Sequence, residues 1–459
     1  MTMAWTIEFD HGTLKIDAPQ TSPEALEAIP HLPPLCWDDR VSAFRASAIS
    51  YRRLLVALTR AKIPFDDKAR QYGQLDLKFQ YERKPFPYQQ EAVEAWDKNG
   101  GSGVVVLPTG AGKSFVAYLI MALKNRPTLV VTPTIDLVVQ WKRNLEAAFG
   151  VEVGMLGGGA NEILPMTVTT YDSAYIHMER LGNQFGLLVF DEVHHLPSET
   201  YCLSAFQSIA PFRLGLTATP EREAPHTYAE LIGPIVYQRS IRDMTGETLA
   251  NYECVNYEVS LQEDERQAYE EARACYLSFI RENKIRVGTP TGWGEFLRLS
   301  SRSTEGRAAL RAHRLQREIT QHCREKLALL EKLLAFHRND RTIVFTADNA
   351  TVYRLSREYL LPAMTHQTPA KERHAILEGF NSGKFPVIVT SKVLNEGVDI
   401  PAANVAIVLS GSGSVREHVQ RLGRILRAAK EKTATLYEIV AQNTMEEFTS
   451  SRRRKHDAF

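Results

Sequence analysis

A mixed α/β protein with two tandem parallel-sheet domains is the fold this sequence predicts, and three observations predict it. Short apolar runs ending in small or polar residues recur with helix-like segments between them, the pattern of βαβ units in a buried parallel sheet. The runs fall into two sets: Gly103–Leu107, Thr128–Thr132, Met166–Thr170, Leu187–Phe190 and Arg213–Thr217, then Thr342–Thr346, Pro386–Thr390, Val405–Ser410 and Thr435–Val440. A long interval of different texture separates the sets, which places a cleft between two α/β domains. At 459 residues the chain has room for about three domains.

The remaining parts follow in order. Thr6–Phe9 and Thr13–Ile16 flank Asp10-His11-Gly12, a hairpin signal, and Ser47–Lys62 has helical spacing that stops before Pro64. A small N-terminal α+β domain is therefore expected over residues 1–84, with Trp5 and Trp37 in its core. The first sheet domain is expected over 85–250 and the second over 251–459. Within the second, Leu261–Ile285 and Arg298–Phe336 read as helices. From Arg273 to Lys332, 13 Lys/Arg stand against 6 Asp/Glu, so these helices are either a solvated face or a nucleic-acid contact.

Composition removes several classes. Apolar residues make up 44% and charged residues 24%, which excludes wholesale disorder and a coiled coil. The net charge of +1 means that any polyanion must be met by a local concentration of charge. Cys36, Cys202, Cys254, Cys275 and Cys323 are scattered, odd in number and never in C-x-x-C spacing. That pattern fits a reducing compartment and speaks against a zinc ribbon or a four-cysteine cluster. The longest apolar runs are strand length, well short of the roughly 20 residues that span a bilayer. Met1–Trp5 lacks the charged start of a signal peptide, and a cytoplasmic location is expected.

Chemistry concentrates at strand ends. The first strand runs into Leu107-Pro108-Thr109-Gly110-Ala111-Gly112-Lys113-Ser114 and then an apolar helix. A strand, a glycine-rich loop and a helix N-terminus place backbone N–H groups around a phosphate, with Lys113 toward the β/γ-phosphates and Ser114 on Mg²⁺. Leu107 departs from the strict G-x-x-x-x-G-K-[ST] pattern, where glycine would stand. Leu187–Phe190 ends in Asp191-Glu192-Val193-His194-His195. Asp191 can hold the Mg²⁺ that bridges phosphate oxygens, and Glu192 can orient and deprotonate the attacking water. No third ligand lies at useful spacing from His194 and His195, so polar coupling within the cleft is expected of them. In the second half, Arg424 and Arg427, three apart on the Gln420–Arg427 helix, share one face and can reach the cleft. A guanidinium brought onto the γ-phosphate by domain closure contributes about 10³–10⁵ in rate.

Taken in order, these segments resemble the motifs of superfamily 2 helicases, in which two RecA-like domains form one ATP site between them. Phe86-Pro87-Tyr88-Gln89-Gln90 matches the family's upstream segment, where Gln89 would read adenine. Within the superfamily the sequence is most similar to the XPB group of DNA-repair and transcription translocases, especially their short archaeal forms. Asp191-Glu192-Val193-His194-His195-Leu196-Pro197, Leu214–Thr219, Tyr171–Tyr175, Ser410–Ser414 and Gln420–Arg427 carry that resemblance, which covers residues 85–455 well.

The resemblance implies an ATP- and Mg²⁺-dependent motor moving 3′ to 5′ on DNA, with a damage-recognition-like N-terminal domain and a helical thumb at about 261–336. It implies Lys113, Asp191, Glu192, Gln420, Arg424 and Arg427 as catalytic. Gln89, Thr109, Gly110, Ala111, Gly112, Lys113, Ser114, Gly397 and Asp399 would bind nucleotide. Ser114 and Asp191 would bind the metal, and Thr134, Thr170, Arg222 and Ser391 the nucleic acid. The implied partners are single-stranded, forked or damaged duplex DNA and a nuclease, with no membrane, and the motor is expected to be monomeric. Two other readings stay open: an RNA helicase, since these motifs do not read the 2′-hydroxyl, and an ATP-gated loader for a nuclease.

One departure has a consequence for strand separation. The family's Arg-Glu-Asp element reads Arg222-Glu223-Ala224 here, and the missing carboxylate predicts translocation with weak unwinding. Ala224→Asp is expected to raise the base pairs opened per ATP hydrolysed on a forked duplex; an unchanged ratio would count against this.

Overall fold

The computed structural model describes the whole chain except residues 1–3, 20, 22, 221–225, 245–251, 288, 290, 392–402, 411–433, 448–449 and 451–459. Three sheets organise it. The N-terminal sheet has strands β1 (Trp5–Asp10), β2 (Thr13–Asp17), β3 (Cys36–Asp38), β4 (Ala43–Ser47) and β5 (Phe65–Asp67), in the order β3-β4-β2-β1-β5. β1 and β2 form the expected antiparallel hairpin across His11 and Gly12. The Tyr51–Arg60 helix lays Tyr51, Leu54 and Leu58 onto this sheet, over a core that includes Trp5, Ile7, Leu14 and Ile16. Trp5 is buried as expected, but Trp37 is not: it is 53% exposed. It lies edge-on to Phe44 and donates its indole N–H to Asp39, because β3 is a three-residue edge strand with nothing packed over it.

The second sheet contains β6 (Ser102–Val106), β7 (Thr128–Thr132), β8 (Gly154–Gly157), β9 (Ala160–Asn161), β10 (Met166–Thr170), β11 (Leu187–Asp191), β12 (Phe212–Thr217) and β13 (Ile235–Gln238). Its order is β13-β6-β12-β11-β7-β10-β8-β9. All pairs are parallel save β8 with β9. β7, β10 and β11 are buried along their whole length, as strands covered on both faces must be. Their carboxyl ends therefore line up along one edge.

The N-terminal domain and this sheet belong to one compact unit, which runs through Asp243, ahead of the boundary expected after residue 250. Ile209 sits in the N-terminal core. Residues 69–80 run across the second sheet's helices as a strap, and their backbone polar groups find partners there. Asn183 donates its amide to Ala69 O at 3.0 Å, Leu75 N donates to Asn125 O at 2.8 Å, and Gln80 N donates to Ala148 O at 2.8 Å. Arg213 on β12 is fully enclosed and meets four carbonyls, those of Ala205, Ser208, Ala210 and Leu231. Burial lowers its pKa to about 10, so it is charged at neutral pH and depends on those carbonyls for compensation.

The second unit begins at Met244. Its strands are β14 (Tyr252–Val259), β15 (Thr342–Phe345), β16 (Ala363–Met364), β17 (Val387–Thr390), β18 (Val405–Val408) and β19 (Ala434–Ala441). The order is β14-β19-β18-β15-β17-β16, parallel throughout. Three helices, Glu263–Glu282, Gly292–Ser300 and Thr304–His322, share a small core of Phe279, Ile285, Phe296 and Ala309. The next helix, Arg324–Phe336, instead packs Leu327, Leu330 and Leu333 into the core of the sheet. The helical insertion thus closes near His322 rather than at 336. No helix among the described residues is long and apolar enough to cross a membrane.

Lys326, wholly buried, joins these layers. Its ammonium donates to Leu409 O at 2.8 Å and to the Glu446 carboxylate at 2.6 Å. Breaking such a pair by removing one partner strands a buried charge. Lys326→Met is expected to destabilise the second unit by about 3–5 kcal/mol in urea denaturation, with Lys326→Met/Glu446→Met recovering most of the loss. A single variant as stable as the parent would refute this account of the pair.

Candidate active site

The phosphate loop leaves β6 at Val106. Leu107, the residue out of place in the sequence pattern, is wholly buried and donates its N–H to Thr217 O at 3.0 Å. It serves as the end of a strand, a position where a buried side chain adds packing and glycine is not needed. Gly112 lies in the left-handed region at φ +75°, and a Cβ there would come within 2.6 Å of Gln89 Nε2. Both facts require glycine at the mouth of the Lys113–Lys124 helix. Lys113 donates, at 3.5 Å, only to Leu107 O among the described residues. Thr109 Oγ1 is buried without a hydrogen-bond partner. A loop with an underused ammonium, an orphaned hydroxyl and a helix N-terminus fits a phosphate chain.

Gln89 sits behind this loop rather than beside it. It is fully buried. Its Nε2 donates to Ala111 O at 3.2 Å, and its Oε1 accepts from Phe86 N at 3.0 Å. Tyr88 Oη also donates to Ala111 O, at 2.7 Å. In this structure Gln89 braces the phosphate loop with both ends of its amide engaged, so reading adenine would require it to let go.

The acidic pair stands at the end of β11, with β12 between it and β6. Asp191 is buried; its Oδ2 accepts from Trp141 Nε1 at 2.8 Å and its Oδ1 from Glu192 N at 3.0 Å. Burial first, then the neighbouring Glu192 carboxylate, pushes the Asp191 pKa up to about 6 against the pull of Lys113. Glu192 takes the left-handed conformation at φ +47°, a cost of order 1 kcal/mol or more for a non-glycine residue. Its Oε2 is buried with no hydrogen-bond donor and lies 3.5 Å from His194 Nδ1. His194 Nδ1 also meets Thr217 Oγ1 at 3.2 Å. That hydroxyl donates to Thr219 O and accepts from Thr219 N, so Nδ1 carries the hydrogen. The expected polar coupling by the histidines is therefore a link from Glu192 to Thr217-Ala218-Thr219.

A cation fits here. Burial of the Asp191 charge is costly unless a positive charge joins it, and Ser114 makes no side-chain hydrogen bond among the described residues, so these two would be the residues to hold Mg²⁺. Trp141 was not singled out in the sequence; an indole donor seven residues into a helix leaves no motif, and only the fold brings it to Asp191. Tyr171 stands in a segment that carries the resemblance, but only the fold brings its hydroxyl to Asp191 O, to which it donates at 3.0 Å.

The nucleic-acid candidates divide. Thr134 and Thr170 follow β7 and β10 and act as N-caps, accepting from Leu137 N and Ser173 N. The Thr134 hydroxyl proton remains available to a phosphate oxygen, whereas Thr170 Oγ1 donates to Ser173 Oγ at 3.2 Å and would have to exchange that partner. Between them the Gly157-Gly158-Gly159 turn packs against Ile135 and Ser173, a glycine triplet that was legible in the sequence and passed over. In the second unit Ser391 is buried and donates its proton to Asn349 Oδ1 at 2.7 Å. It orients Asn349, whose amide reaches His366, rather than offering a free donor. Arg222, Gly397, Asp399, Gln420, Arg424 and Arg427 lie outside the described residues.

Family models match three stretches: the type III restriction enzyme res subunit over residues 82–222, the ERCC3/RAD25/XPB C-terminal helicase over 309–457, and the xeroderma pigmentosum group B helicase damage recognition domain over 7–69. The chain is 39% identical over 437 residues to the DNA 3′-5′ translocase XPB2 of Sulfurisphaera tokodaii, covering 93% of this chain and 97% of that one. The chain belongs to the XPB family. A member from Mycobacterium tuberculosis, named DNA 3′-5′ helicase XPB, is 33% identical over 385 residues, which are 80% of this chain and 62% of that one. Among solved structures, the Hef helicase domain of Pyrococcus furiosus superposes with a TM-score of 0.52 at 20% identity, over 81% of this chain and 98% of that one. That likeness shows the fold: two RecA-like sheets in one chain, as expected.

The elevated Asp191 pKa gives a pH signature. A metal needs the carboxylate, so protonation competes with it. Below about pH 6, Mg²⁺-nucleotide affinity should fall up to tenfold per pH unit. The stability effect has the opposite sign. The native state holds the extra proton between pH 3.8 and about 6, so the metal-free protein loses this contribution as pH rises through that window. Mg²⁺-ADP should therefore raise the melting temperature more at pH 7.5 than at pH 5.5, and Trp141→Phe, which removes a donor to the carboxylate, should move the midpoint upward. Equal shifts at both pH values would refute the assignment.

Proposed function

We propose that the protein is an ATP-dependent DNA translocase and helicase of 3′-to-5′ polarity, acting in DNA repair or transcription-linked DNA opening. One observation carries this reading: residues for nucleotide and residues for a nucleic-acid backbone share one sheet edge and meet at Asp191. β6, β12 and β11 supply the nucleotide half, and β7, β10 and β8 the other. The helices behind Thr134 and Thr170 both reach the residue between, through Trp141 and Tyr171.

In the proposed cycle the backbone from Thr109 to Gly112 receives the phosphates, and Lys113 exchanges its weak contact with Leu107 O for the β/γ-phosphate oxygens. Ser114 and Asp191 would hold Mg²⁺, which when bound would neutralise charge on the phosphates. Glu192, kept near the reacting end by its left-handed backbone and by His194, orients the attacking water and takes its proton. Gln420, Arg424 and Arg427 are proposed to complete the site from the second domain, with Gly397 and Asp399 on the nucleotide. Thr134, Thr170 and Arg222 grip the strand, and Ser391 acts through Asn349. The expected division into 1–84, 85–250 and 251–459 is kept in order, with the second unit beginning at Met244 and the basic helices that end at His322 as the thumb. A nuclease partner and a monomeric motor belong to the same proposal on the family resemblance.

Steady-state ATP turnover with no nucleic acid, single-stranded DNA, forked DNA and RNA tests this. DNA is expected to stimulate most, with affinity falling steeply as salt rises. Lys113→Ala should abolish turnover, and Glu192→Gln should lose turnover while keeping ATP binding. Turnover surviving both changes would exclude the site; preferential stimulation by RNA would replace the substrate; turnover that appears only with a nuclease present would favour a loader.

A further inference from the structure

A cavity of about 240 Å³ lies where the Glu263–Glu282 and Thr304–His322 helices meet the carboxyl edge of the β14–β19 sheet, within the second unit. The cycle above does not use it. Tyr269 and Tyr276, seven residues apart, look into it from one helix face. His313, Gln316 and Gln321 enter from the other helix, and Ser410, just past β18, closes it from the sheet.

Several of its polar atoms have no partner among the described residues and open onto the cavity. Gln321 is only 7% exposed, yet its amide makes no side-chain hydrogen bond among the described residues, so a donor and an acceptor line the cavity unpaired. Gln316, 6% exposed, uses its Nε2 on Ala272 O and Ala312 O, and its Oε1 has no donor among the described residues. Ser410 Oγ accepts from Ala347 N at 3.0 Å, which leaves its proton to give. Beside these sits one aromatic wall, made of the Tyr276 and His313 rings packed on each other 5.0 Å apart at 47°. Burial, then Arg317 and Arg314, holds the His313 imidazole below the ordinary histidine range, so the ring is neutral at pH 7 and suited to stacking.

Unpaired amides beside an aromatic wall select a flat ring with donors and acceptors on its rim. The volume falls below the ~300–1,000 Å³ of sites for drug-sized ligands, which limits the occupant to one ring system. We propose that this cavity receives a single nucleobase. Its position favours a base carried on a strand. Ser410 is bonded to Ala347, two residues before the Asn349 that Ser391 orients, so the cavity lies beside the proposed strand contacts of this unit. Arg311, Arg314 and Arg317 are exposed on the same helix, where they can meet phosphates. This deepens the translocase reading and rests on it: the thumb holds one unstacked base while the backbone is moved.

The test compares the full chain's affinity for a single strand with normal bases and for the same strand carrying a run of abasic tetrahydrofuran residues. Normal bases should bind about tenfold more tightly, the range of one aromatic–base stack, and Gln321→Leu and Tyr276→Leu should bring the ratio close to one. With the unaltered protein, a strand carrying 5-iododeoxyuridine should photocrosslink to Tyr276 or Met445. Free deoxyadenosine monophosphate that binds and blocks the crosslink, without any strand preference for normal bases, would assign the same cavity to a free nucleotide. Equal affinity for both strands with no crosslink in the cavity, or a ratio that persists in both variants, would overturn the proposal alone. Failure to bind either strand would overturn it together with the translocase reading.

Discussion

A carboxylate forced into a water-poor site by the strand that carries it is the constraint around which the first unit is arranged. Asp191 ends β11, the central strand of the functional edge, and burial makes its charge costly. It is kept in place by Trp141 and by its own neighbour's N–H, while its carbonyl accepts from Tyr171. These donors come from helices whose first turns hold Thr134 and Thr170. A displacement of either helix changes the donors around Asp191, and with them the balance between proton and cation there. In the proposed reading, coupling between the nucleic-acid half and the nucleotide half therefore needs no long relay; it passes through one hydrogen-bonded residue.

The frame behind that residue is stiff for identifiable reasons. Arg213 ties β12 to four carbonyls of the surrounding loops, and Trp96 Nε1 donates back to Arg213 O. Tyr88 and Gln89 clamp Ala111 from behind the phosphate loop. The strap from the N-terminal domain leads directly into the helix that carries both residues. That domain, through Ile209 and the Asn183 contacts, is thus joined to the same body that carries the glycine-rich loop. In the second unit the buried Lys326–Glu446 pair plays a comparable part, fixing the end of β18 against a helix and the turn after β19.

Where side chains went elsewhere than expected, the reason is competition for hydrogen bonds. Gln89 and Ser391 are buried, and buried polar groups find partners; each found one inside its own unit, the first in Ala111 O and the second in Asn349. Trp37 is exposed because its strand is short and at an edge. β14 escaped notice in the sequence because Glu253, Asn256 and Glu258 interrupt Tyr252–Val259, as polar residues can in an edge strand, so that no continuous apolar run forms. The Arg324–Phe336 helix read as part of the basic insertion because charge pattern does not report which core a leucine face will join.

The amino-acid sequence by itself determined the α/β class, the first set of sheet strands nearly to the residue, the glycine loop with Lys113 and Ser114, and the acidic pair at Asp191. Those features depend on local rules: continuous apolar runs make buried parallel strands, only glycine accepts φ +75° at Gly112, and phosphate binding needs backbone amides at a helix start. Only the tertiary structure decided that Trp141 and Tyr171 meet Asp191, that His194 reaches Thr217, and that two glutamines and two tyrosines from separate helices enclose one cavity. Each of these joins residues far apart in the chain, and such distances are set by how sheets and helices pack, which no local pattern encodes.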